Sequence, residues 1–110
     1  MAIISNLTVD QGSTFSASVD ITDTEDNILV LTGYTVAAQL RKTYGSSTAV
    51  DFTASVSNAA LGEVTISLTA TQTNALIAGR YVYDAEITSA GGTVTRVLEG
   101  QIEVTPGVTR

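Results

Sequence analysis

Hydrophobic side chains recur at every second position through most of this chain, a period that commits it to strands with one buried face and one wet face. The clearest run is Phe15, Ala17, Val19 and Ile21, interleaved with Ser16, Ser18 and Asp20. Tyr34, Val36, Ala38 and Leu40 repeat the pattern, followed by Val50, Phe52, Ala54 and Val56, then by Val64, Ile66 and Leu68. A further run carries Tyr81, Tyr83, Ala85 and Ile87, with Val82, Asp84, Glu86 and Thr88 on the opposite face. In the last run, residues 93–104, Val97 and Leu98 stand side by side, so the alternation slips once and predicts a β-bulge near Val97. Residues 3–9 alternate more weakly and read as an edge strand.

Turn chemistry separates these runs. Asp10-Gln11-Gly12-Ser13 divides the first two, and Asp23-Thr24-Glu25-Asp26-Asn27 follows the second with side chains that favour turns by bonding their own backbone. Residues 58–62 and Ser89-Ala90-Gly91-Gly92 mark two more reversals, each with glycine. One segment breaks the period: from Thr69 to Gly79 there is a candidate N-cap threonine, helix-tolerant residues and a closing glycine. A single helical turn or short helix is predicted there, bridging two sheets, with Leu76 and Ile77 as candidates to plug the open end of the core. The expectation is one all-β domain over residues 1–110, an immunoglobulin-like β-sandwich of about seven strands with a helical crossover near residues 70–78. Tyr81 or Tyr83, early in the strand after the crossover, suits the hydroxyl-to-backbone bond that pins such corners. Barrel closure stays open, because periodicity reports which face is buried and not how sheet edges are managed.

The chain has no cysteine and no histidine. Thiolate nucleophiles, Cys-type zinc sites, and the commonest general base and metal ligand are therefore missing. A hydroxyl nucleophile would have only Lys42, the sole lysine, to activate it. The net charge of −6 has the wrong sign for a phosphate backbone. Arg41 and Lys42 are the one adjacent basic pair, with Arg80, Arg96 and Arg110 apart, so neither nucleic acid nor a membrane surface is an expected partner. No apolar run approaches the ~20 residues of a membrane span, and residues 1–6 lack the basic start of a signal peptide, which predicts synthesis in a cytoplasm.

Three groups of residues invite a chemical reading. Asp20, Asp23, Glu25 and Asp26 could gather calcium, but they lack the glycine and terminal glutamate of an EF-hand loop, and a solvated turn is the plainer reading. Asp84 and Glu86 share a strand face, as paired catalytic carboxylates do, and as any polar outer face does. Tyr44 lies beyond a regular strand close to Arg41 and Lys42, a combination of types enriched in interface anchors, the alternative being a tyrosine packed on its own loop. Residues 105–110 leave the last strand at Pro106 and could dangle or dock. Candidate interface residues are thus Arg41, Lys42, Tyr44 and Arg110, with no catalytic residue, metal or cofactor expected.

Several phrases read together carry a resemblance: Asp10-Gln11-Gly12-Ser13-Thr14-Phe15, Leu31-Thr32-Gly33-Tyr34-Thr35, Gly79-Arg80-Tyr81-Val82-Tyr83-Asp84, the run from Gly92 to Gly100, and Val104-Thr105-Pro106-Gly107-Val108. In this order they resemble small virion structural proteins of tailed phages, cyanophages especially, over nearly the whole chain. More distantly, the Leu-Thr-Gly-Tyr entry and the strand after it resemble the immunoglobulin-like N-terminal domain of phage baseplate upper proteins, although a single domain, without their second one, is the expectation here. The resemblance implies a non-enzymatic module docked on other virion proteins, as head decoration or as part of the neck, tail or baseplate, with self-association in symmetric copies open. A carbohydrate or host-surface binding module is the rival reading, disfavoured by the absence of tryptophan.

Overall fold

In the computed structural model, which describes residues 3–22, 27–47 and 49–108, the alternating runs become two stacked sheets. The strands are β1 (Ile3–Ile4), β2 (Leu7–Asp10), β3 (Phe15–Asp20), β4 (Thr35–Arg41), β5 (Val50–Asp51), β6 (Thr53–Asn58), β7 (Glu63–Leu68), β8 (Gly79–Thr88) and β9 (Val94–Thr105), with the helix α1 (Ala70–Ala75) between β7 and β8. Sheet A runs β1-β9-β8-β4-β5, with β2 also on β9; sheet B runs β3-β7-β6. β1 and β2 are two halves of one ribbon along β9, and β5 and β6 are one run that changes sheets at Phe52. The chain is therefore a seven-ribbon, immunoglobulin-like β-sandwich. Its connectivity departs from the constant-type arrangement, in which the first strand lies in the sheet of the second. Here the first ribbon pairs parallel with β9 instead.

The core lies between the sheets and is built from the alternating inward positions. Leu40, Ile66, Leu68, Ile87, Ile102 and Val104 are almost fully buried. The expected bulge is present: Ala85 pairs with Leu98 and Glu86 with Arg96, so Val97 is the extra residue and both Val97 and Leu98 face inward.

Both tyrosines act as pins. The Tyr81 hydroxyl donates to the Ile77 carbonyl at 2.8 Å, which is the tyrosine corner. The Tyr83 hydroxyl donates to the Ser5 carbonyl at 2.6 Å, at the joint between β1 and β2. That joint also receives Gly100, where a Cβ would fall 2.0 Å from the Ser5 carbonyl oxygen, so only glycine lets the two backbones approach. Burial pushes the Tyr83 phenol above its ordinary range, and the bond to Ser5 offsets part of the shift.

The helix is closed by a capping box: the Thr69 hydroxyl accepts from the Gln72 N–H, while the Gln72 side chain accepts from the Thr69 N–H. Leu76 plugs the core end as expected, but Ile77 does not; it is 78% exposed, because the backbone is already extended at Leu76 and the next side chain turns outward. Thr73, fully buried, donates its hydroxyl to the Ser13 carbonyl at 2.8 Å and accepts from the Gly12 N–H. Gln11 donates to the Leu76 carbonyl and accepts from the Gly107 N–H, so the chain after β9 docks on its own turn as far as Gly107. No helix among the described residues is long and apolar enough to cross a membrane.

Candidate interaction surface

The outward positions of β4, β8 and β9 form the most structured polar surface. β4 presents Gln39 and Arg41, β8 presents Val82, Asp84 and Glu86, and β9 presents Arg96, Glu99 and Gln101. Arg96 owes its place to the bulge. With Leu98 facing inward, strict alternation would turn position 96 inward as well; the extra residue at Val97 re-aims Arg96 outward, opposite Glu86. Its guanidinium lies 3.4 Å from Asp84 and 3.2 Å from Glu99. The bond to Glu99 first and the charge of Asp84 next hold it in the charged form.

Arg41 organises the other side. Its guanidinium donates to the Ser46 carbonyl and to the Gln39 side-chain oxygen, and Gln39 in turn donates to Asp51 at 2.7 Å. The bond to Ser46 closes the turn that carries Tyr44. A groove of about 280 Å³ results, with Arg41 and Tyr44 on one side, Arg96 on the other, and Asp84 and Glu86 along the floor.

Of the residues that sequence reading grouped together, Arg41 and Tyr44 do meet. Tyr44 is 81% exposed and does not pack on its own loop, which resolves that alternative. Lys42 is sent away: adjacent strand residues point to opposite faces, and its ammonium sits 4.8 Å above the Tyr81 ring at the end of the sandwich. Arg110 lies outside the described residues, as do Asp23, Glu25 and Asp26 of the calcium reading. Asp84 and Glu86 sit together, and Asp84 is paired with Arg96, which makes this a mixed-charge surface. Among the described residues no group of three or more acidic side chains is close enough to hold a metal ion. The part of Arg96 was missed because a bulge position says that the alternation slips and not which neighbour is re-aimed.

The outer face of sheet B is different in kind. Ser16, Ser18, Thr53, Ser55, Ser57, Thr65 and Ser67 cover it, with Asp20 and Glu63 at one end. Ser18 bonds Thr65 at 2.9 Å, Thr65 donates to Ser57, and Ser57 donates to Glu63.

No protein-family model and no curated protein matches the chain. Among solved structures it is similar to an internalin-like protein of Listeria monocytogenes, at 19% identity and a TM-score of 0.49 over 94% of this chain. The chain spans only 28% of that protein's length. It is also similar to AggA, the major subunit of aggregative adherence fimbriae type I from Escherichia coli, at 18% identity and a TM-score of 0.41, covering 91% of this chain and 89% of that one.

Proposed function

We propose that the chain is a non-enzymatic structural module of a tailed-phage particle, docked on other virion proteins. The observation that carries the docking half of this reading is the Arg41–Tyr44 corner. There an 81% exposed tyrosine is held at the rim of a polar groove by an arginine bonded to its loop, and the two residue types are those enriched at protein interfaces. The order of sequence phrases quoted above supports the phage half. The acidic net charge favours a place on the head or tail surface, away from packaged DNA. Quantitative mass spectrometry of purified particles should find the chain in fixed stoichiometry with the other structural proteins; particles without it overturn the reading.

A second reading has one observation in its favour. Tyr44, Gln39, Asp84 and Glu86 line one groove, a set able to stack on and hydrogen-bond a sugar. Binding on a glycan array that disappears in Tyr44→Ala would favour a carbohydrate-binding module over a purely structural one.

A further inference from the structure

We propose that β3 is a self-pairing edge, at which two copies of this chain join their three-stranded sheets antiparallel about a two-fold axis through Ser18. The inference stands on the sheet edge alone and does not depend on the phage reading. β3 pairs only with β7 among the described residues, over six consecutive positions without a shift. The ladder's continuation fixes which backbone groups are used: the Ile21 N–H donates to the Gly62 carbonyl, so by alternation residues 15, 17, 19 and 21 address β7. Ser16, Ser18 and Asp20 therefore aim their N–H and C=O groups at the open edge. The first ribbon, which in the constant-type arrangement belongs to the same sheet, is committed to β9, and among the described residues no strand takes its place on this edge.

Natural sheets protect such edges with lysine, proline, a bulge or a covering segment. Residues 15–20 contain no lysine, arginine or proline, and no bulge. Phe15, Ala17 and Val19 are only partly buried, so a second copy would cover apolar rims that the monomer leaves wet.

The edge also matches itself. With the axis at Ser18, Ser18 faces its symmetry mate and each Ser16 faces the other copy's Asp20. A hydroxyl donor thus meets the strand's one carboxylate, and all three outward residues form hydrogen-bonded pairs. An axis at Asp20 would set two carboxylates face to face, and an axis at Ala17 would set Asp20 opposite Thr14, beyond the start of the strand. The hydroxyl row Ser57–Thr65–Ser18 ends at the seam, so no charged side chain opposes joining at the centre.

The natural absence of cysteine makes the register measurable. In a hydrogen-bonded antiparallel pair the Cα atoms lie ~5.5 Å apart, within disulfide range, so Ser18→Cys should cross-link to a covalent dimer under mild oxidation. Ser16→Cys, whose symmetry mate would be four residues out of register, should cross-link at least tenfold more slowly. In sedimentation velocity the unmodified chain should show a concentration-dependent dimer, strengthened by salt because each copy carries −6. Ser18→Lys should be monomeric, and mixing it with Ser18→Asp should restore the dimer. The proposal is overturned by a wild-type chain that stays monomeric at high concentration and high salt, by equal cross-linking at positions 16 and 18, or by a Ser18→Lys variant that dimerises like wild type.

Discussion

Sheet A and sheet B share one core but are held together by different means. Sheet A is fastened by contacts distant in sequence: Tyr83 on Ser5, Asn6 accepting from the Gln101 N–H, and Gly100 against the Ser5 carbonyl. One of its edges is formed by the β1–β2 ribbon and the other by the short β5 on β4, and its outer face carries both signs of charge, with Arg41, Arg80 and Arg96 among Asp84, Glu86, Glu99 and Glu103. Sheet B has three strands and an outer face mostly of hydroxyls, with Asp20 and Glu63 at one end, and the inward side chains of β3 stay half-buried. The difference teaches that moving the first ribbon from one sheet to the other does two things. It concentrates the long-range fastening in sheet A and leaves sheet B with an edge able to accept another strand.

The largest expected effect lies in the centre of sheet A. Ile102 is fully buried, and Ile102→Ala should cost about 2–5 kcal/mol, since the cavity adds to the lost transfer energy. Val19→Ala, on the half-buried edge of sheet B, should cost about 1 kcal/mol. Urea denaturation at low protein concentration measures both, and equal losses would break the comparison. Next comes Gly100→Ala. The new methyl group must displace the Ser5 carbonyl, at a cost of about 1–3 kcal/mol. Hydrogen exchange should show the effect confined to one ribbon: protection falls at the Ser5 amide and along β2 while β3 and β7 keep theirs.

Much of this could be read from the sequence because burial has a period of two. The inward positions of β3, β4, β7 and β8, the slip at Val97 and the tyrosine corner all follow from which residues alternate, and they fall where the alternation puts them. Pairing partners do not follow, because the first ribbon shows the same alternation whether it pairs antiparallel with β3 or parallel with β9. A sign of the actual partner was nonetheless present in Gly100, a glycine in the middle of a strand, which marks a close backbone approach. The groove was half legible. Arg41 and Tyr44 line the same groove, whereas Lys42, next to Arg41 in sequence, faces away because neighbours on a strand point apart. Ile77 was ambiguous for a related reason, since the sequence does not tell where the helix gives way to extended backbone.

The smaller predictions test whether the sheet A fastenings act through burial or through charge. Tyr83→Phe removes the donor from the Ser5 carbonyl and should cost about 1 kcal/mol. It should also change the alkaline limb of stability. The folded state holds the Tyr83 proton more tightly than the unfolded chain does, chiefly because burial disfavours the phenolate. Its contribution is therefore complete below the ordinary tyrosine value of about 10 and is lost as pH rises through the higher folded value. Urea midpoints taken from pH 8 to pH 11 should fall less steeply in Tyr83→Phe than in wild type; parallel curves would mean that the hydroxyl is not the titrating pin. Arg96→Gln should have the least effect. Its two ion pairs are open to solvent at the side of the groove, where screening and side-chain entropy cancel most of the attraction. The urea midpoint of Arg96→Gln should match wild type at low and high salt alike. A salt-sensitive loss of stability would instead make charge on this face part of what holds sheet A, and would weaken the case that the groove is free to hold something else.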